Sequence, residues 1–156
     1  MSKVTININI KTYLADYLRA QHKSSPVIFR KNCSISLLIR DLLVKQPANK
    51  AINKGNLSII LPYNNIKDPR IYNYLSENSI QIIEREIYYE FFAVLHRHMK
   101  KYESKMTKEN SLKLFYELFH LNEDDIKFDT LKRNFRRYLN KKARKSIKSF
   151  QFVALF

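Results

Sequence analysis

One glycine, Gly55, serves a chain of 156 residues. Tight β-hairpins draw on glycine because their turns need positive φ, which other side chains reach only at a cost. A chain so poor in glycine suits helices joined by polar turns rather than a sheet-rich fold. A hydrophobic fraction of 45% with 13% aromatic residues supplies a packed core and argues against disorder. The length accommodates one domain or two small ones.

Apolar periodicity divides the chain. Residues 4–10 alternate strictly and read as a half-buried strand, with Val4, Ile6, Ile8 and Ile10 inward. Thr12 is expected to cap a helix whose apolar face is Tyr13, Leu14, Tyr17 and Leu18, ended by Ser24, Ser25 and Pro26. Val27, Ile28 and Phe29 form a second strand candidate. Ser34 should cap a second helix with Ile35, Leu38, Ile39, Leu42 and Leu43 inward, closed by Gln46 and Pro47. Residues 47–56 are a polar loop and 57–61 a third strand. Pro62 and Pro69 bracket a connector.

A long helix should start near Asn78, with Gln81 at capping-box distance. Its stripe is Ile80, Ile83, Ile87, Phe91, Val94, Leu95 and His98. A second helix is expected from about Asn110 to Leu121, broken by residues 122–125, and a third from Phe128 with Asp129 as N-cap. The expected fold is α+β and mostly α. A small strand–helix module (1–61) and a connector (62–75) precede a three-helix, helix-turn-helix-like unit with an apolar tail (76–156). Within that tail, Phe150, Phe152, Val153, Leu155 and Phe156 are too apolar to float free and should dock on the core or join a second copy.

Charge is unevenly spread within a net +15. Residues 1–60 hold ten basic and two acidic side chains, residues 61–129 ten and twelve, and residues 130–156 nine and none. Through the acid-free end, Leu131, Phe135, Tyr138 and Leu139 recur at i, i+4, i+7 and i+8, giving a helix with one apolar stripe and a cationic remainder. Its natural partner is a polyanion, and nucleic acid is the commonest one. Thr130, Lys132, Arg133, Asn134, Arg136 and Arg137 lie early on this helix, and Lys141, Lys142, Arg144 and Lys145 late. The planar arginine fork holds guanine edges or phosphate bidentately, the late cations suit phosphate, and Asn134 and Asn140 suit adenine. A solvated cationic face is the other reading of the same residues.

The last two helices and their acidic turn (Glu123, Asp124, Asp125) resemble a helix-turn-helix, residues 111–121 supporting and residues 129–144 recognising. That resemblance implies a major-groove helix and double-stranded DNA as partner. Residues 3–45 resemble the ribbon–helix–helix repressors of bacteria and phages, although the stretch between His22 and Cys33 is longer than that family's tight turn. This resemblance implies Thr5, Asn7 and Asn9 as further base readers; in a plain α+β module they would only be solvated. The whole chain is similar in style to DNA-binding proteins of bacteriophages and mobile elements.

No P-loop, dinucleotide fingerprint or Cys/His cluster occurs, and Cys33 is the only cysteine. His96 and His98 sit about 200° apart on a helix, too far round to share a metal; His98 should pack on the stripe and His96 face water. Glu84, Glu86 and Glu90 should lie on the solvated side of the long helix, and Tyr63, Tyr72 and Tyr74 should pack rather than stack on bases. No cofactor, metal, small-molecule substrate or membrane is expected, because no apolar run approaches a membrane span and the first residues alternate instead of forming a signal-peptide core. The expectation is a non-enzymatic DNA-binding protein of the bacterial cytoplasm, a phage or mobile-element transcriptional regulator. The alternative is a structural or assembly protein of a phage particle, or a terminase-like packaging adaptor, placed in the virion. A homo-oligomer through residues 150–156 fits either.

Overall fold

Alternation in the first strand resolves as one buried side: Ile6, Ile8 and Ile10 are buried while Thr5 and Asn9 face out. The computed structural model describes residues 3–51, 53–61 and 66–153, with side chains of the last helix through residue 144. Its elements are β1 (Thr5–Ile8), α1 (Thr12–His22), β2 (Val27–Ile28), α2 (Ser34–Leu42), β3 (Val44–Lys45), β4 (Leu57–Ile60), β5 (Tyr72–Tyr74), α3 (Glu77–Tyr102), α4 (Lys108–Phe119) and α5 (Phe128–Val153). The fold is α+β and mostly α.

β4 is the central strand of a three-stranded sheet, β1-β4-β2. It runs antiparallel to β1, with Thr5 opposite Ile60 and Ile8 opposite Leu57, and parallel to β2, with Val27 opposite Ile59. A second, two-stranded sheet pairs β3 with β5. The sequence reading carried α2 on to Gln46 and Pro47. The helix stops at Leu42 because Val44 and Lys45 turn extended to pair with Tyr74 and Tyr72.

Helix starts also differ from expectation by a residue or two. Thr12 is already helical, and Lys11 occupies the N-cap position without a side-chain bond. Cys33, not Ser34, caps α2: its Sγ accepts from the Ser36 amide at 3.4 Å. Ser76 caps α3 through the Ser79 amide at 3.1 Å, in place of the box expected from Asn78 and Gln81. Thr107 caps α4, and Asp129 lies inside the first turn of α5 rather than at its cap. With no glycine to spare, α1 and α4 end on left-handed Lys23 and His120, at φ 51° and 52°.

The loop from Gln46 to Asn56 is held by two asparagines acting as surrogate strand edges. Asn56 accepts from the Ile10 amide at 3.1 Å and donates to the Ile10 carbonyl at 2.7 Å. Asn53 accepts from the Leu75 amide at 3.1 Å and donates to its carbonyl at 2.9 Å. Between them Gly55 lies directly against β1, where a β-carbon would overlap the Ile8 carbonyl and the Asn9 amide nitrogen.

One buried cluster takes in residues of every helix and of β1, β2 and β4. Phe91, fully buried on α3, makes edge contacts with Tyr13 and Tyr17 of α1, Phe92 of α3 and Phe115 of α4. Residues 1–61 and 76–144 therefore share one core across the connector, and β5 lies in that connector. Glu90, expected to be solvated, instead accepts from the Tyr17 hydroxyl at 3.3 Å and Gln21 at 3.2 Å where α1 crosses α3. Burial, with the Glu90 charge second, drives the Tyr17 phenol well above the ordinary tyrosine range.

Candidate nucleic-acid interface

α5 is one unbroken helix of 26 residues, about 39 Å long at 1.5 Å per residue. Leu131 and Phe135 are buried and Tyr138 and Leu139 half-buried, so the apolar stripe read from the sequence is the face that docks. It docks chiefly on α3. α4 touches the early part of α5, where Tyr116 stacks on Phe128 at 4.2 Å and Glu109 pairs with Lys132 at 2.9 Å.

Opposite the stripe, Arg133, Arg137, Asn140 and Arg144 are all exposed. Their spacing of i, i+4, i+7 and i+11 makes a single row along the helix. Arg136 and Lys141 flank it, also exposed, and Thr130 lies exposed one turn before its start. Arg133 bends its Nε back to the Asp129 carbonyl at 3.3 Å, leaving the rest of its fork facing out. Such a row can grip phosphates and present two or three arginine forks to base edges.

Two expected members of the site are engaged elsewhere. Asn134 is half-buried, and its Oδ1 lies 2.7 Å from Nε2 of His96. The His96 ring stacks on Tyr138 at 4.1 Å and 19°. His96 therefore fastens α5 to α3 rather than facing water, and Asn134 is withdrawn from the outer face. Lys132 is half-buried beside Glu109, which raises its pKa while the lysine lowers that of the glutamate. Of the two asparagines proposed as adenine readers, Asn140 alone stays on the outer row. The Lys145 side chain lies outside the described residues, and so do those of residues 150–156; the backbone remains α5 as far as Val153.

The sequence reading overlooked Lys100. One turn past His96 on α3, its Nζ lies over the Tyr138 ring, 5.9 Å from the centroid. Its positive charge holds the Lys142 ammonium below the ordinary lysine range. His96 meeting Asn134 and Tyr138, and Lys100 meeting Tyr138, show α3 and α5 running in the same direction. On the other flank a groove of about 490 Å³ has Met99, Phe135 and Leu139 as its floor and Lys108, Lys132 and Arg136 along its rim. Both flanks thus add cations from other helices to those of α5. The signal for Lys100 was its place one turn beyond a histidine on a helix lined for packing, which becomes meaningful only once α5 is known to lie there.

At the N-terminal end, β1 pairs in cis with β4. Thr5 and Asn9 are exposed, while Asn7 is half-buried and its Oδ1 accepts from the Ser58 hydroxyl at 2.6 Å. His98 turns toward α4, bonded through Nε2 to the Ser111 carbonyl at 2.8 Å, and so points away from His96. Among the described residues no group of three His, Cys, Asp or Glu side chains is placed to hold a metal ion, and no helix is long and apolar enough to cross a membrane. Tyr72 and Tyr74 are half-buried on β5, with Lys45 over the Tyr72 ring, and Tyr63 lies outside the described residues.

Comparison with protein-family models, with curated proteins and with solved structures finds no match to this chain.

Proposed function

We propose that this chain is a non-catalytic protein that binds double-stranded DNA through the outer row of α5. The observation that carries the reading is the division of that helix: its apolar stripe is spent on α3, while Arg133, Arg137, Asn140 and Arg144 stand exposed along the opposite side. A helix fixed by its back and cationic on its front fits the width of a major groove. At residues 141–144 every side chain is exposed, so the helix enters this stretch clear of the core and open to a ligand. The acidic turn at Glu123, Asp124 and Asp125 is exposed before the start of α5.

The test is fluorescence anisotropy with a labelled duplex of about two helical turns, titrated over a range of salt. Contacts to about five phosphates give a slope of log K against log[salt] near −4.5. Absence of a complex at low salt would remove the reading. A preference among duplexes of different sequence would support a regulator, and indifference to sequence an assembly or packaging role.

A further inference from the structure

We infer that the groove between α3, the start of α4 and α5 binds a small amphipathic carboxylate, its apolar chain on the floor and its anionic head at Lys108 and Arg136. A ligand seated there competes with duplex for Arg136. That consequence rests on the DNA-binding reading, whereas the site itself does not.

The groove holds about 490 Å³, within the range of small-molecule pockets. Three helices build it, and its floor is apolar: Met99 and Phe135 belong to the buried core and Leu139 is half-buried. A phosphate backbone has no apolar group to cover such a floor, and water covers it only at a cost. The rim is cationic. Lys132 is already paired with Glu109 at 2.9 Å, which neutralises that part of it. Lys108 and Arg136 are exposed, and among the described residues neither enters an ion pair. Two unmatched positive charges thus stand above an apolar floor, and their complement is a negative head on an apolar body. The planar fork of Arg136 can hold a carboxylate bidentately. Along α5 the groove runs from Lys132 to Asn140, about 12 Å or two turns, which suits a medium-length acyl chain better than a long partner helix. Arg136 also flanks the outer row of α5. A guanidinium turned to a carboxylate in the groove is withdrawn from a phosphate outside it, so the ligand acts as an antagonist of DNA binding.

The full-length chain, carbon-13 labelled in its methionine methyls, is titrated with decanoate below its micelle concentration at constant ionic strength. The Met99 methyl should shift and saturate, while that of Met106, outside the groove, stays in place. Lys108→Gln and Arg136→Gln should each weaken decanoate about tenfold. Lys141→Gln, which removes an exposed cation of α5 outside the groove, should not. Decyltrimethylammonium, with the same chain and the opposite charge, and acetate, with the head alone, should leave Met99 unmoved. Either control acting as decanoate does, or a Met99 methyl that decanoate never shifts, would overturn the site. A methyl that answers only to a helical peptide of leucine and glutamate would give the groove to a protein partner and overturn it as well. Saturating decanoate should also weaken duplex binding and flatten its salt slope by about 0.9, the loss of one phosphate contact. In Lys108→Gln that effect should need about tenfold more decanoate. Duplex affinity indifferent to decanoate would overturn the competition and keep the site. A chain that binds decanoate but no duplex would sink the DNA reading and keep the site.

Discussion

Nε2 of His96 on α3 lies 2.7 Å from Oδ1 of Asn134 on α5. An amide oxygen can only accept, so the imidazole carries its proton on Nε2 in this contact. Burial pushes the His96 pKa down, against a smaller upward pull from Asn134. Burial likewise lowers His98 and His22. All three are neutral in the fold and would take up a proton more readily once unfolded.

A group whose pKa is lower folded than unfolded contributes stability that is complete above the unfolded value, about 6.5 for histidine, and lost as pH falls through it toward the folded value. The thermal midpoint by circular dichroism should therefore fall between about pH 7.5 and pH 5, and His96→Gln should make the fall shallower. A midpoint level across that range would contradict the burial of these rings.

Phe91 touches four aromatic rings and has no exposed surface. Phe91→Ala should cost about 3–5 kcal/mol in urea unfolding. Because the cluster is continuous, one cooperative transition should report the loss at probes in both residues 1–61 and residues 76–144. Two separated transitions would show independent units.

Arg133 and Arg137 are four residues apart on the outer row of α5. Replacing either by Ala should weaken duplex binding by about 1–3 kcal/mol and relax sequence preference if the fork reads a base. Asn134→Ala should act differently, lowering the thermal midpoint through loss of the His96 bond. If Asn134→Ala altered preference at an A·T step and left stability untouched, the assignment of Asn134 to the helix joint would be wrong.

Backbone demands give a paired prediction. Gly55→Ala should destabilise by about 1–3 kcal/mol, because the new methyl has only the β1 backbone to displace. Lys23→Gly should stabilise by about 1 kcal/mol, since Lys23 closes α1 in the left-handed region. Chemical denaturation of both variants beside the parent measures the two signs together.

Ile83, Ile87, Phe91 and Leu95, and again Leu131 and Phe135, were readable because a helix repeats its buried side every three or four residues and the sequence keeps that period. β1 was readable by its alternation. β3 and β5 were not, because strands of two and three residues carry no period. Cap positions slipped because serine, threonine and asparagine crowd every helix start, and only the bond to an amide two or three residues on decides among them. At the interface, periodicity marked the outer face of α5 but could not say what a neighbouring helix would bring to its edges. Asn134 and Lys132 were therefore counted as outward, and Lys100, in the near-neutral middle of the charge census, went unnoticed. The exposed row depends on the docking of α5 against α3.

That docking makes α5 a lever. Its fixed end is the joint of His96 with Asn134 and Tyr138, and its backbone runs unbroken to Val153, a reach of about 28 Å from Asn134. Pivoted there by about five degrees, the far end would sweep roughly 2.5 Å, close to half the pitch of the helix itself. The histidine-to-asparagine bond near the fulcrum thus helps to set where Arg137, Lys141 and Arg144 are aimed, and a change too small to disturb the core would be felt as a change of register on whatever the helix grips.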